Sequence, residues 1–322
     1  MPASVPSPVS HPVTVTARRP LTDRVDEFRL EPSAPGVLPG WTPGAHLDVT
    51  VPGGLLRQYS LCSDPADRSG YTIAVDRATD PRENGHSGSA ALHDLATVGT
   101  ELQVGEPRNH FPLTRALNYV FVVGGIGVTP MIALAAQVAR SDRPWRMLCL
   151  ARTEDAMPYL PELRSSYGDA VRFHGSAEGR VDLAAELADL PRGTAVYVCG
   201  PGALTDGVAA VVADQPAVDV FTEQFTAPDI SGEATSFDVS LASSGETFTV
   251  PADASVLSVL EEHGRLVASS CREGMCGTCE VEVVSGEVDH RDAVLTPEER
   301  AENESMMVCV SRCFSGRLVL DL

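Results

Sequence analysis

The sequence predicts a multidomain chain: a small antiparallel β-barrel or sandwich, then a parallel α/β sheet, then a compact α+β unit. Three observations carry this. The first third breaks into short alternating or β-branched runs punctuated by Pro, Gly and Asp, the pattern of a barrel or sandwich. The middle third alternates continuous apolar strands with helical stretches, as a buried parallel sheet does. The last part places three cysteines within nine residues, ahead of a short strand.

The opening "MPASVPSPVSHP" lacks a basic start and an apolar stretch, so residues 1–10 read as a flexible leader, not a signal peptide. Residues 11–114 hold the β runs "VTVTA", "HLDVTV", "RQYSLC", "YTIAV" and "TELQVG", with one short helix, "SAALHDLA". Residues 115–226 begin with the buried strand "NYVFVV", the turn "GGIGVTP" and the helix "MIALAAQVAR". The strands "WRMLCLA", "AVRFH" and "AVYVCG" follow, with helical stretches at "YLPELRSSY" and "PGALTDGVAAVVA". Residues 227–236 are polar and read as a linker. Residues 237–322 run from the hairpin-like "FDVSLASSGETFTV" through the helix "ASVLSVLEEHG", the cysteine loop, "EVEVV" and "TPEERAENE" to "RLVLDL".

The net charge of −20 argues against nucleic acid as a partner. All 24 basic residues are arginine. No apolar run reaches the roughly 18–20 residues of a membrane helix, so the chain is expected in the cytoplasm. That reducing compartment shifts the eight cysteines toward metal, catalysis or packing. Residues 229–322 alone carry a net −12. Such a surface either aids solubility or docks a basic partner.

Cys271, Cys276 and Cys279 are spaced C-x4-C-x2-C, with Cys309 further on. This is the plant-type spacing for a [2Fe–2S] cluster. Gly274 and Gly277 let the loop wrap tightly and aim N–H groups at sulfur. Zinc is the alternative, but zinc sites usually repeat paired cysteines at two knuckles. Cys313 is a spare near the fourth position and an alternative to Cys309. Cys62 and Cys149 read as core. The scattered histidines, His11, His46, His93, His110, His174, His263 and His290, show no ligand spacing and read as surface or structural.

"VVGGIGVTPM" places a glycine turn between a strand and a helix N-terminus, where N–H groups and the helix dipole favour phosphate. It departs from G-x-G-x-x-G. "YVCGPGAL" supplies a second turn, and both lie at the carboxyl edge of an α/β sheet. "RQYS", Arg57 to Ser60, offers a cation, an aromatic ring and a hydroxyl, though as a tetrapeptide it is weak.

In this order, "RQYSL", "EPRNHFPL", "GGIGVTPM", "CGP", "CREGMCGTC", "DHRD" and "LVLDL" make residues 11–322 resemble the phthalate dioxygenase reductase family. The resemblance implies an FMN-binding β-barrel, an NAD-binding domain and a plant-type ferredoxin domain. It assigns Arg57 to the flavin phosphate, Tyr59 to the ring system, Ser60 to the flavin N5, and Gln58 and Val75 to the same site. Ser87, Gly88 and Ser89 match the phosphate turn, where "GHSGS" replaces the usual G-R-G-G-S. Gly124, Gly125, Gly127, Thr129 and Pro130 match the nicotinamide-dinucleotide turn. Cys199, Gly200 and Pro201 match the second turn, beside the nicotinamide. Phe225 matches an aromatic shield on the flavin. Ser60, Cys199 and Phe225 stand closest to the chemistry. Asp155 and Glu154 would accept from a ribose 2′-OH, favouring NADH, while Arg152 favours a 2′-phosphate. The implied function passes electrons from NADH through FMN and the cluster to a terminal oxygenase, a Rieske non-haem iron enzyme or a cytochrome P450. The protein is expected as a monomer. The competing readings are a reductase with a loose acceptor range, a non-catalytic metal module and a redox sensor.

Overall fold

A computed structural model describes residues 10–51, 56–77, 88–225, 235–269, 271–272, 274–275 and 277–322. The chain divides into two compact units, within residues 8–225 and 226–322. Most of the expected leader and linker lies outside the described residues.

In the first unit, β1 (Ser10–Pro20), β2 (Val25–Pro32), β3 (His46–Thr50), β4 (Leu56–Ser60), β5 (Tyr71–Asp76) and β6 (Glu101–Gly105) form one sheet, with α1 (Gly88–Leu95) before β6. Its order is β4-β3-β6-β1-β2-β5, antiparallel throughout. Period-two alternation sets its inner face. Val13 and Val15, Phe28 and Leu30, Leu47 and Val49, Ile73 and Val75, and Leu102 and Val104 all turn into one core. The end strands meet at a single bridge, Leu61 with Ile73, supported by Cys62 N–H donating to Thr72 O at 3.0 Å. Among the described residues no continuous ladder closes this sheet into a barrel.

The second sheet of this unit is built from β7 (Asn118–Gly124), α2 (Val128–Ala139), β8 (Trp145–Ala151), α3 (Leu160–Tyr167), β9 (Val171–Gly175), α4 (Leu183–Glu186), β10 (Thr194–Cys199), α5 (Gly202–Val212) and β11 (Val218–Glu223). All five strands are parallel, in the order β11-β10-β7-β8-β9. Every residue of β10 is buried, because both of its faces are covered. Phe121, Val123 and Tyr197 share one core with Val25, Cys62, Ala74 and Phe111 from the first sheet and its flanks. Val120, Val122, Val196 and Val198 pack on Leu187, Val208 and Val212. The chain runs outward from β7 to β9 and returns to β10. The strand order therefore reverses between β7 and β10, which opens a crevice at their carboxyl ends.

The C-terminal unit contains β12 (Phe237–Leu241), β13 (Thr247–Val250), α6 (Val256–Glu262), β14 (Glu280–Ser285), β15 (Val288–Asp289), α7 (Pro297–Glu302), β16 (Ser305–Met307), β17 (Arg312–Cys313) and β18 (Arg317–Leu320). A mixed sheet, β13-β12-β18-β14-β16, carries the core, and β15 pairs with β17 beside it. A Ser255–Ser258 capping box starts α6, whose Val256, Leu257 and Leu260 are buried against the sheet. A second box, Thr296 with Glu299, starts α7, and Asn303 ends it in the left-handed region at φ 55°. Among the described residues, no helix is long and apolar enough to cross a membrane.

Candidate functional site

Cys271, Cys279 and Cys309 converge between the loop ahead of β14 and the turn after β16. Cys279 and Cys309 hydrogen-bond to one another, with Cys271 close enough to act on Cys309 electrostatically. The hydrogen bond with Cys279, together with burial, raises the Cys309 pKa. Two sulfurs in contact ionise together only with a cation between them, which is what iron supplies. The Gly274 N–H donates to Cys309 Sγ, and the Met275 N–H to Cys271 Sγ at 3.5 Å. Gly274 has φ +71°, and a Cβ there would lie 2.5 Å from Val310 Cγ2, so this position requires glycine. The donor set and the inward N–H groups fit a [2Fe–2S] cluster. Cys276 lies outside the described residues, and without it no group of three donors among them could hold an ion. Cys313 contacts Ser315 Oγ at 3.4 Å and pairs across to Val288, away from this group.

The flavin candidates gather on β4 and around α1. Arg57 lies against the N-terminus of α1, where a Cβ on Gly88 would sit 2.4 Å from Arg57 Cγ. A guanidinium beside a helix N-terminus suits a phosphate. Ser89 follows in the same first turn, while Ser87 lies outside the described residues. Tyr59 is part-buried on the sheet core, and Ser60 is buried opposite His46. Gln58 turns to the other side and donates to Asp48 Oδ1 at 2.9 Å. Val75 points into the core, and its carbonyl pairs with His93 Nε2 at 2.9 Å, so His93 is structural as expected.

The two glycine turns interlock at the β7–β10 crevice. A Cβ on Gly127 would fall 2.3 Å from Cys199 O, and one on Gly200 3.1 Å from Gly124 Cα. Gly125 takes φ +53° with open space around it. Thr129 is buried and its hydroxyl donates to Ile126 O at 3.0 Å, so it pins the turn. Pro130 is buried in the first turn of α2, and Pro201 precedes α5. The Cys199 thiol is fully buried, and burial with the Glu223 charge raises its pKa. Phe225 is exposed just beyond β11. Arg152 and Asp155 are exposed after β8 and form no ion pair among the described residues. Glu154 instead pairs with Arg164 at 2.7 Å, which lowers its pKa.

Glu223 was not legible in the sequence. It stands beside Cys199 at the end of β11. Its Oε2 is closed off without a hydrogen-bond partner, and burial raises its pKa to about 8. Its one signal was an acid at the end of the short β-branched run "VDVFTE". Tyr159 was missed too. It takes φ 60°, rare for a non-glycine residue, ahead of α3. Its hydroxyl donates to Glu27 Oε2 at 2.7 Å and meets Cys62 Sγ at 3.3 Å, tying the two sheets together.

Residues 239–313 match the 2Fe-2S iron-sulfur cluster binding domain family. The chain is 39% identical over 318 residues to the vanillate O-demethylase oxidoreductase of Pseudomonas sp. (strain HR199 / DSM 7063), covering 96% of this chain and 99% of that protein. It is 38% identical over 315 residues to the phthalate dioxygenase reductase of Burkholderia cepacia, covering 96% of both. A solved phthalate dioxygenase reductase, described as modular for electron transfer from pyridine nucleotides to [2Fe-2S], matches with TM-score 0.74 and 36% identity over 97% of this chain and 98% of its own. An intact type IV self-sufficient cytochrome P450 monooxygenase matches with TM-score 0.84 and 39% identity over 98% of this chain, which spans 41% of that longer one. With a full-length relative of that name, a matched cluster domain and a cradle of converging thiols, the chain belongs to the phthalate dioxygenase reductase family.

Proposed function

We propose that this chain is the reductase component of an oxygenase system, taking electrons from NADH through FMN and a [2Fe–2S] cluster to a terminal oxygenase. The observation that carries it is the thiol cradle of the C-terminal unit on the same chain as two interlocked glycine turns at a sheet crevice. When bound, FMN would supply the conversion iron requires, taking two electrons together as one hydride and giving them up one at a time. Arg57 and the first turn of α1, with Gly88 and Ser89, hold the phosphate, and Ser87 is assigned to it with them by the family resemblance. Tyr59, Gln58, Ser60 and Val75 belong to the strands that bear the ring. Gly124, Gly125, Gly127, Thr129, Pro130, Gly200 and Pro201 shape the dinucleotide crevice. Phe225 covers the ring face, Asp155 takes the ribose 2′-OH, and Cys199 and Glu223 wall the nicotinamide side. Glu223, protonated near neutral pH, donates a hydrogen bond there. Cys271, Cys276, Cys279 and Cys309 are the iron ligands.

The acceptor is a Rieske non-haem iron oxygenase met by the acidic C-terminal unit. A cytochrome P450 is the second reading, favoured by the match to a self-sufficient monooxygenase of that kind. The protein acts in the cytoplasm as a monomer. Anaerobic titration with NADH tests the core claim. Loss of yellow absorbance followed by a paramagnetic signal from a paired-iron centre is expected. A holoprotein that gives neither sinks it.

A further inference from the structure

We infer that Asp292 is the positioning residue of the cluster cradle: it fixes the Gly274 N–H aimed at the Cys309 sulfur and so sets the cluster's potential and retention. This rests on the reading of Cys271, Cys276, Cys279 and Cys309 as iron ligands.

Asp292 is a buried carboxylate with 3% residue exposure. A buried charge persists only where hydrogen bonds and counter-charges hold it. Its Oδ2 accepts the N–H groups of Val294 at 3.0 Å and Leu295 at 2.8 Å, which closes the turn over residues 292–295. That turn presents the Ala293 N–H to the Gly274 carbonyl at 2.8 Å. The other side of the same glycine then donates to Cys309 Sγ. A relay of two backbone contacts therefore joins the carboxylate to the ligand sulfur.

The second half of the cradle is anchored to the same group. Ser311 Oγ, two residues past Cys309, donates to Asp292 Oδ1 at 3.4 Å and accepts the Arg291 N–H at 3.3 Å. One carboxylate thus grips both the cysteine loop and the segment bearing the distant ligand. A Cβ on Gly274 would lie 3.2 Å from Asp292 Cα, so loop and turn are already in close contact. His290 Nδ1 and Arg300 Nη2 each stand 3.8 Å from the carboxylate, and Asp289 pairs with Arg291 instead. N–H groups donated to cluster sulfurs tune the reduction potential. Whatever holds Gly274 in place therefore tunes it as well.

The test compares full-length wild type, Asp292→Asn, Asp292→Ala and Ser311→Ala by redox titration of the paramagnetic signal and by iron release to a chelator. Asparagine keeps one oxygen for the two turn N–H groups, removes the charge, and reverses the Ser311 contact, its amide N–H donating to Ser311 Oγ where Oδ1 had accepted. Its potential should rise, favouring the reduced form about threefold, or about 30 mV at 59 mV per tenfold, with iron release within twofold of wild type. Alanine removes the turn as well. Its potential should fall below that of Asp292→Asn, and iron should leave several-fold faster. Ser311→Ala should speed iron release to a lesser degree, which keeps the inference testable if the alanine variant does not accumulate. An Asp292→Ala protein matching wild type in both readouts overturns the inference. So do equal potentials for the two Asp292 variants, because charge alone would then explain the shift. A wild type lacking any paired-iron signal overturns the ligand reading itself, and this inference with it.

Discussion

At the scale of single residues, the cluster and the crevice give separable predictions. Cys309→Ser should abolish the paired-iron signal and leave flavin absorbance intact, because the flavin candidates belong to the other unit. Cys313→Ser should retain the signal, since Cys313 contacts Ser315 instead. An intact signal in Cys309→Ser would reverse that assignment. Glu223 makes a pH-dependent prediction. Its folded pKa of about 8 exceeds the ordinary ~4.3 of an unfolded glutamate. Between those values the folded state keeps a proton that the unfolded chain has released. The group's stabilising contribution is full below the unfolded value and is lost as pH rises through about 8. Glu223→Gln should therefore raise Tm more at pH 8.5 than at pH 5.5, by about 2–4 °C. An equal gain at both pH values would mean the carboxyl is solvated.

At the scale of elements, two contacts decide whether the sheets meet correctly. Gly127 leaves no room for a methyl group against Cys199 O. Gly127→Ala must force the two glycine turns apart, at a cost of roughly 1–3 kcal/mol. NADH-dependent dye reduction should fall at least tenfold, while chemical reduction of the bound flavin by dithionite proceeds as before. Unchanged turnover would show that the crevice does not need this fit. Tyr159 joins the turn before α3 to Glu27 on β2 and to Cys62. Glu27 also pairs with Arg19, which reaches Glu162 on α3. Tyr159→Phe keeps the ring and removes one charge-assisted hydrogen bond, worth about 1.5–3 kcal/mol when part-buried. Thermal unfolding of the first unit should move down accordingly, with the cluster signal of the second unit unaffected.

At the scale of the whole molecule, the charge is unevenly divided. The net −12 over residues 229–322 falls on the sequence that carries the cluster. Charged surfaces steer encounter with oppositely charged partners, and salt screens them. Raising salt from about 0.05 M to about 0.5 M should slow delivery to the oxygenase several-fold. NADH oxidation by a small neutral dye should change little. A parallel response of both rates would remove electrostatic docking from the account.

The sequence by itself determined that antiparallel strands precede a parallel α/β sheet, and it supplied the four cysteine candidates that follow both. Those features are local: strand periodicity, glycine turns and C-x4-C-x2-C spacing are written over a few neighbouring residues. The family resemblance assigns both Arg57 and the Gly88 turn to the flavin phosphate, and the tertiary structure sets Arg57 against Gly88. Only the tertiary structure decided which polar groups lose their water. Glu223 becomes a raised carboxyl because β11 lies beside β10, and Glu154 finds its ion-pair partner in Arg164 on α3. Cys309 rather than Cys313 meets Cys279 because β17 pairs with β15 and turns Cys313 toward Ser315. Burial and partnership arise between residues far apart in the chain, and no short stretch of sequence encodes the distance between them.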